Sequence, residues 1–178
     1  MPFLFLALAI AAALGGGISW EASNALPGDA LYPFKISVNE SVEAALAQSD
    51  AAKADLDISL AQERLDEAQQ LAKENKLTST IQSQLTQNFD ARAQSVSAFI
   101  TTLEHQNNYQ TASALATNLQ TMLTSEVSIL QDASSQGSVA RQVSLVPILV
   151  EARKTLAATS VTTVALSAKA VAENETGL

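Results

Sequence analysis

Residues 78–106 read TSTIQSQLTQNFDARAQSVSAFITTLEHQ, and their spacing decides the fold class. Ile81, Leu85, Phe89, Ala93, Val96, Ile100 and Leu103 recur at intervals of three and four. Those intervals line one face of a 3.6-residue helix, and a strand with its period of two would scatter them over both faces. Thr78 or Ser79 stands ahead of the run, where a hydroxyl can accept from a free amide of the first turn. Asn107-Asn108 breaks it.

The same reading extends outward in both directions. Tyr109 to about Ala133 repeats the pattern through Ala112, Leu115, Leu119, Met122, Ile129 and Leu130, with Val127 flanking the stripe. Ser134-Ser135-Gln136-Gly137-Ser138 has loop composition. A last helix is expected from about Val139 to Ala172, with Ile148, Leu149, Leu156, Val161, Val164, Leu166, Ala168 and Val171 as its apolar positions. Pro147 removes one backbone donor and should kink it near residues 143–147. The Val/Thr-rich stretch Thr159–Val164 has weak helix propensity, but a lone strand there would lack a partner. Residues 174–178 are expected to fray.

Toward the N-terminus, Ala51 to Glu74 carries an inner stripe of Leu56, Leu60, Leu65, Ala68, Leu71 and Ala72, and Asn75 suits a left-handed cap. Lys35 to about Gln48 carries Val38, Val42, Ala45 and Leu46. Ser49-Asp50 either interrupts this segment or caps a fresh start, so residues 35–75 form one bent helix or two. Short loops between long helices force antiparallel neighbours. The expected fold is all-α: an up-and-down antiparallel bundle of four or five helices over residues 35–174, with an apolar membrane or signal helix ahead of it.

Composition narrows the function classes. The 178-residue chain has no Cys, which removes thiol catalysis, thiolate metal sites and disulfides together. Ten Lys+Arg against eighteen Asp+Glu give a formal charge of −8. A chain this acidic repels a phosphate backbone, so no nucleic-acid partner is expected. Charged residues are only 16% of the chain, below the usual quarter, and Ser, Thr, Gln and Asn take the polar positions instead. A surface so short of Lys and Glu reads either as one built to associate or as drift of composition.

Phe3 to Ile18 is apolar and uncharged. As a helix it would span about 24 Å, which approaches the ~30 Å hydrocarbon core once Ser19 and Trp20 are drawn in. Trp20 suits a membrane–water boundary, and Gly15-Gly16-Gly17 weakens the helix near that end. Ser23-Asn24-Ala25 offers small residues where a signal peptidase reads. Residues 1–25 are therefore a transmembrane anchor or a signal segment, with membrane contact through residues 3–20. No Lys or Arg precedes the run, so either the true start lies upstream or orientation is set another way.

Residues 26–34 form the linker into the bundle. Pro27-Gly28 is a turn signal, Asp29 can bond its local backbone, and Pro33 fits a first helical turn. Leu31, Tyr32 and Phe34 supply an apolar plug. The string Leu26-Pro27-Gly28-Asp29-Ala30-Leu31-Tyr32-Pro33-Phe34-Lys35, directly after an apolar segment, resembles a bacterial extracytoplasmic family known as a domain of unknown function (DUF5667-like). Leu60-Ala61-Gln62-Glu63-Arg64-Leu65-Asp66-Glu67 resembles that family's Leu-Ala-x-x-Arg-Leu-x-Glu helix. The resemblance covers residues 24–75. It implies a secreted or membrane-anchored helical domain, sometimes attached to envelope signalling proteins, and no established activity.

The residues themselves give little chemistry. His105 is the single histidine, and beside Glu104 at a helix end it reads as a surface or cap residue. Without Cys it cannot build a zinc site of ordinary type. Asp50, Asp55, Asp57, Glu63, Asp66 and Glu67 read as a solvated helix face, since Asp55-x-Asp57 lacks the glycine and terminal Glu of a calcium loop. Arg64 and Glu67, three apart, should pair and fix helix register. Asn39-Glu40-Ser41 and Asn174-Glu175-Thr176 match a glycosylation acceptor and carry nothing in a bacterial protein. No catalytic, cofactor or metal residues are expected. The expected function is non-enzymatic: an extracytoplasmic envelope protein acting through protein contacts, self-association among them. An extracytoplasmic sensor or regulatory domain and a periplasmic holdase are the alternatives.

Overall fold

The computed structural model describes residues 21–176; the expected membrane segment over residues 3–20 and the last two residues lie outside them. Two compact units are formed, Met1–Ala47 and Gln48–Leu178. The described residues contain helices and turns and no strand.

In the first unit a short helix α1 (Tyr32–Phe34) runs into a π-helical turn (Lys35–Asn39) and on into α2 (Glu40–Leu46). The Glu40 amide bonds the Lys35 carbonyl, an i→i+5 closure. In a regular helix residues five apart stand about 140° apart, on different faces. The wider turn brings Lys35 and Glu40 to the same side, and both are buried. This corrects the expectation of an ordinary helix from Lys35 to about Gln48 carrying Val38, Val42, Ala45 and Leu46. Val38 and Val42 are only half-buried, and Ala45 and Leu46 are exposed.

The second unit is the bundle: α3 (Asp50–Lys73), α4 (Ser79–His105), α5 (Tyr109–Ser135) and α6 (Val139–Thr176). Its caps fix the boundaries. Ser49, Thr78 and Asn108 each accept an amide from the third residue beyond with their side chains, at 3.1, 3.3 and 3.3 Å. Ala47 is extended and Ser49 starts α3 afresh, so residues 35–75 are two helices. The division after Ala47 places the helix of residues 35–46 with the linker turn, whereas the expected domain limits gave it to the bundle. Asn75 and Asn107 take positive φ values of 56° and 57°, ending α3 and α4 as left-handed caps. Arg141 reaches from α6 to the end of α3, donating to the Ala72 and Lys73 carbonyls.

Each of the four helices packs against the other three, and α5 with α6 most extensively. Leu65, Leu85, Phe89, Leu119, Leu123, Leu145 and Ile148 are fully enclosed between them. Burying a side chain of that size stabilises by about 1.5–3 kcal/mol. On α5 the stripe differs from expectation: Val127 is buried and Ile129 is exposed. Helix α6 passes through Pro147 unbroken and continues to Thr176, beyond the expected end. Pro147 lies on the exposed side, and the Ser144 carbonyl in the same turn accepts from Gln82 of α4. The Val/Thr-rich stretch is helical, and Thr155, Thr159, Thr162 and Thr163 donate to the carbonyls four residues back, which satisfies their hydroxyls within the helix.

Candidate functional site

The residues singled out in the sequence gather in two places, one in each unit. In the first unit they build a tied turn. Gly28 has φ 102°, a conformation that any side chain would strain. Pro27 is buried ahead of it. The Asp29 carboxylate accepts the Leu26 amide at 2.8 Å, and the Asp29 amide returns to the Leu26 carbonyl at 2.9 Å. The Asp29 carbonyl then accepts the Tyr32 amide, and the Leu31 carbonyl accepts those of Phe34 and Lys35. Pro33 takes the first helical turn, where its missing donor does no harm.

Lys35 closes this turn. Its side chain is buried, with Nζ donating to the Ala25 carbonyl at 3.2 Å and standing 5.8 Å from the centre of the Tyr32 ring. A cation over an aromatic face, with a carbonyl beside it, replaces part of the water it has lost. Asn39 donates to the Ser23 hydroxyl at 3.1 Å, a second tie between the start of the unit and its helix. Pro27, Gly28, Asp29, Leu31, Tyr32, Pro33 and Lys35 thus form one structural device. Glu40, buried beside it in the fold of the turn, gave no sequence signal because a 3.6-residue period turns it away from Lys35.

In the second unit the centre is Arg64 on α3, only 2% exposed. Its guanidinium meets Glu67 at 3.3 Å and Glu63 at 2.6 Å, and Nε donates to the Leu60 carbonyl at 3.4 Å. The expected Arg64–Glu67 pair is present, but its setting is not the expected solvated face. Glu67 is 3% exposed, because the three-residue spacing that joins it to Arg64 also turns both toward the interior. Asp57, in the same acidic stretch, is half-buried and accepts from Arg92 at 2.9 Å and from Ser95 at 2.6 Å, binding α3 to α4. Asp50 and Asp55 are exposed.

Glu126 of α5, 2% exposed, joins this polar layer by accepting from Gln62 of α3 at 2.9 Å. Burial pushes its carboxyl above the ordinary 4.5, and the negative charge of Asp66 adds to the rise. Asp66 is raised for the same reasons, burial first and then Glu63, with Lys73 pulling the other way. Sequence reasoning missed Glu126. Its place was readable, four residues after Met122 and four before Leu130 on the inner stripe, but a carboxylate is a residue one assigns outward.

Among the described residues every buried side-chain nitrogen and oxygen has a partner. His105 is exposed in the last turn of α4. Among the described residues no group of three or more His, Asp or Glu is placed to hold a metal. Both constellations fasten backbone to side chain and helix to helix.

The family described as "Domain of unknown function (DUF5667)" matches residues 24–144, which takes in both constellations, and the chain belongs to that family. No curated protein and no solved structure matches the chain.

Proposed function

We propose that this DUF5667 protein is a cell-envelope protein, held at the outer face of the cytoplasmic membrane or secreted across it by residues 3–20. It acts by contact with other proteins and not by catalysing a reaction. The observation that carries this reading is the outer face of α6. Seven of its valines are between 48% and 75% exposed on a bundle whose interior is already filled. A patch of that extent on a folded domain marks a surface that another molecule covers.

The rest of the surface supports the reading. Serine and threonine hydroxyls along the helices, among them Ser97, Thr101, Thr102, Thr117 and Thr124, bond carbonyls of their own helix four residues back. The outer faces therefore present methyl groups and satisfied hydroxyls where a free-standing bundle presents Lys and Glu. Placement is tested with Ser125→Cys, an exposed site in a chain without other cysteines. A membrane-impermeant maleimide should label it in intact bacterial cells; labelling only after lysis would contradict the placement.

The same exposed valines favour a second reading, a holdase that covers unfolded segments. It requires the purified protein to suppress aggregation of a denatured test protein, and no suppression at a several-fold molar excess would remove it.

A further inference from the structure

We propose that the outer face of α6 is where two copies of this chain pair, antiparallel, about a two-fold axis near residue 155. The proposal rests on the reading of the protein as one that acts by contact, and it names the partner. Val139, Val143, Val146 and Val150 line the first half of the helix, and Val161, Val164 and Val171 the second. At 100° per residue all seven fall within a sector about 80° wide. Leu145, Ile148 and Ala152, which pack inside, lie on the other side of the helix. The helix thus carries two apolar faces, and the bundle uses one.

The outer stripe reads nearly the same in reverse. Counting from residue 155, Val139 mirrors Val171 and Val146 mirrors Val164, and Val150 falls within one residue of the mirror of Val161. Two antiparallel copies therefore set valine against valine at 139/171, 146/164 and near 150/161, with Val143 facing Ser167 and small residues between, in the three- and four-residue steps that knob-into-hole packing needs. A self-complementary patch of this kind is what a two-fold pair requires. Arg153 stands in the stripe near the axis, opposite Ala157 of the second copy. Its guanidinium is drawn aside to Gln131 at 2.7 Å, and the small alanine leaves its stem room. An apolar groove of about 540 Å³, lined by Leu77, Val139 and Val143, continues the stripe at its first end. The second copy's Val171 meets it there.

The chain carries −8, yet α6 has four cations, Arg141, Arg153, Lys154 and Lys169, against Glu151, Glu173 and Glu175. No charged residue lies between Lys154 and Lys169. Pairing on α3 would press acid on acid; on α6, Arg153 and Lys154 of the two copies meet near the axis, each held by a partner of its own chain, Gln131 and Glu151. A stripe from residue 139 to 171 is about 50 Å long and about 10 Å wide. Two copies then cover about 1,000 Å², the least that a biological interface buries and the size of a weak, reversible pair. Lipid is the poorer occupant. Helix α6 is long and apolar enough to cross a bilayer, but its other side, with Leu145, Ile148, Ala152 and Leu166, is packed inside the bundle, which a spanning helix would have to leave.

The test uses the full chain in membranes, with Val146→Cys and Val164→Cys carried on separate copies and a short bis-maleimide. Antiparallel pairing predicts cross-linked dimers when both variants are present together. Either variant alone should give none, because its two cysteines would stand about 27 Å apart along the axis. Adding Val161→Glu to both copies should cut the mixed product about tenfold with the helical circular dichroism unchanged. Dimers from Val146→Cys alone, or none from the mixture, overturn the proposal. So does a Val164→Cys thiol that is shielded from a water-soluble maleimide without cross-linking, since lipid or another segment would then cover the face. Mixed dimers recovered from the soluble fraction would support the pairing and contradict only the membrane placement.

Discussion

Arg64 is a cation almost wholly removed from water, and what surrounds it decides what it contributes. With Glu67 beside it and Glu63 at its edge, the guanidinium replaces lost hydration by ion pairs and the Leu60 carbonyl. Removing one partner leaves buried charge uncompensated, so Glu67→Ala should lower stability by about 3 kcal/mol in urea denaturation. Arg64→Met with Glu67→Leu, which removes both charges and keeps the volume, should recover most of that loss. A loss as large in the double variant would show that packing, not charge, is at stake. Glu126 behaves in the opposite sense. Its folded-state carboxyl titrates above the unfolded value, so the native state holds its proton longer and stability falls as pH rises between the two values. Glu126→Gln should therefore stabilise the bundle at pH 7, with the gain shrinking as pH falls through the glutamate range. Denaturation midpoints at pH 4 and pH 7 check this. The Arg64–Glu67 pairing was legible from its spacing, but its burial was not, since sequence reasoning sends charges outward unless a partner on another helix is known.

The elements of the bundle were legible because caps and periods agree. Ser49, Thr78 and Asn108 stand where hydroxyl and amide side chains belong, and Asn75 and Asn107 take the left-handed stops. Ser49→Ala and Thr78→Ala should each lower stability by about 1 kcal/mol in the same denaturation assay. No change in either would mean that tertiary packing alone fixes the helix ends. Two elements were less legible, for different reasons. The turn Lys35–Asn39 closes at i→i+5, and no 3.6-residue pattern announces the residue it accommodates. In α6 the difficulty is a surplus of pattern. Leu145, Ile148 and Leu166 form one stripe and the valines another, and hydropathy cannot say which one the bundle takes. Val161, Val164 and Val171, named among the apolar positions of the helix without a face, are outside, and Thr155, Thr159 and Thr163 take the inner positions, their hydroxyls satisfied by their own helix.

At the scale of the molecule, an all-α chain without cysteine, net charge −8, presents one long apolar face and few charges along it. The tied turn at Pro27–Lys35 follows an apolar run that ends near Trp20, in the order that an anchored domain requires. That order, together with the open face of α6, makes a protein held at a membrane and working by contact the reading that uses both features. Fractionation of the protein from a bacterial host, with intact mass measured on each fraction, tests the membrane half of this account most directly. The account predicts a species at the membrane with residues 1–25 retained, or a species lacking them outside the cytoplasm. Uncleaved protein in the soluble cytoplasmic fraction would contradict it.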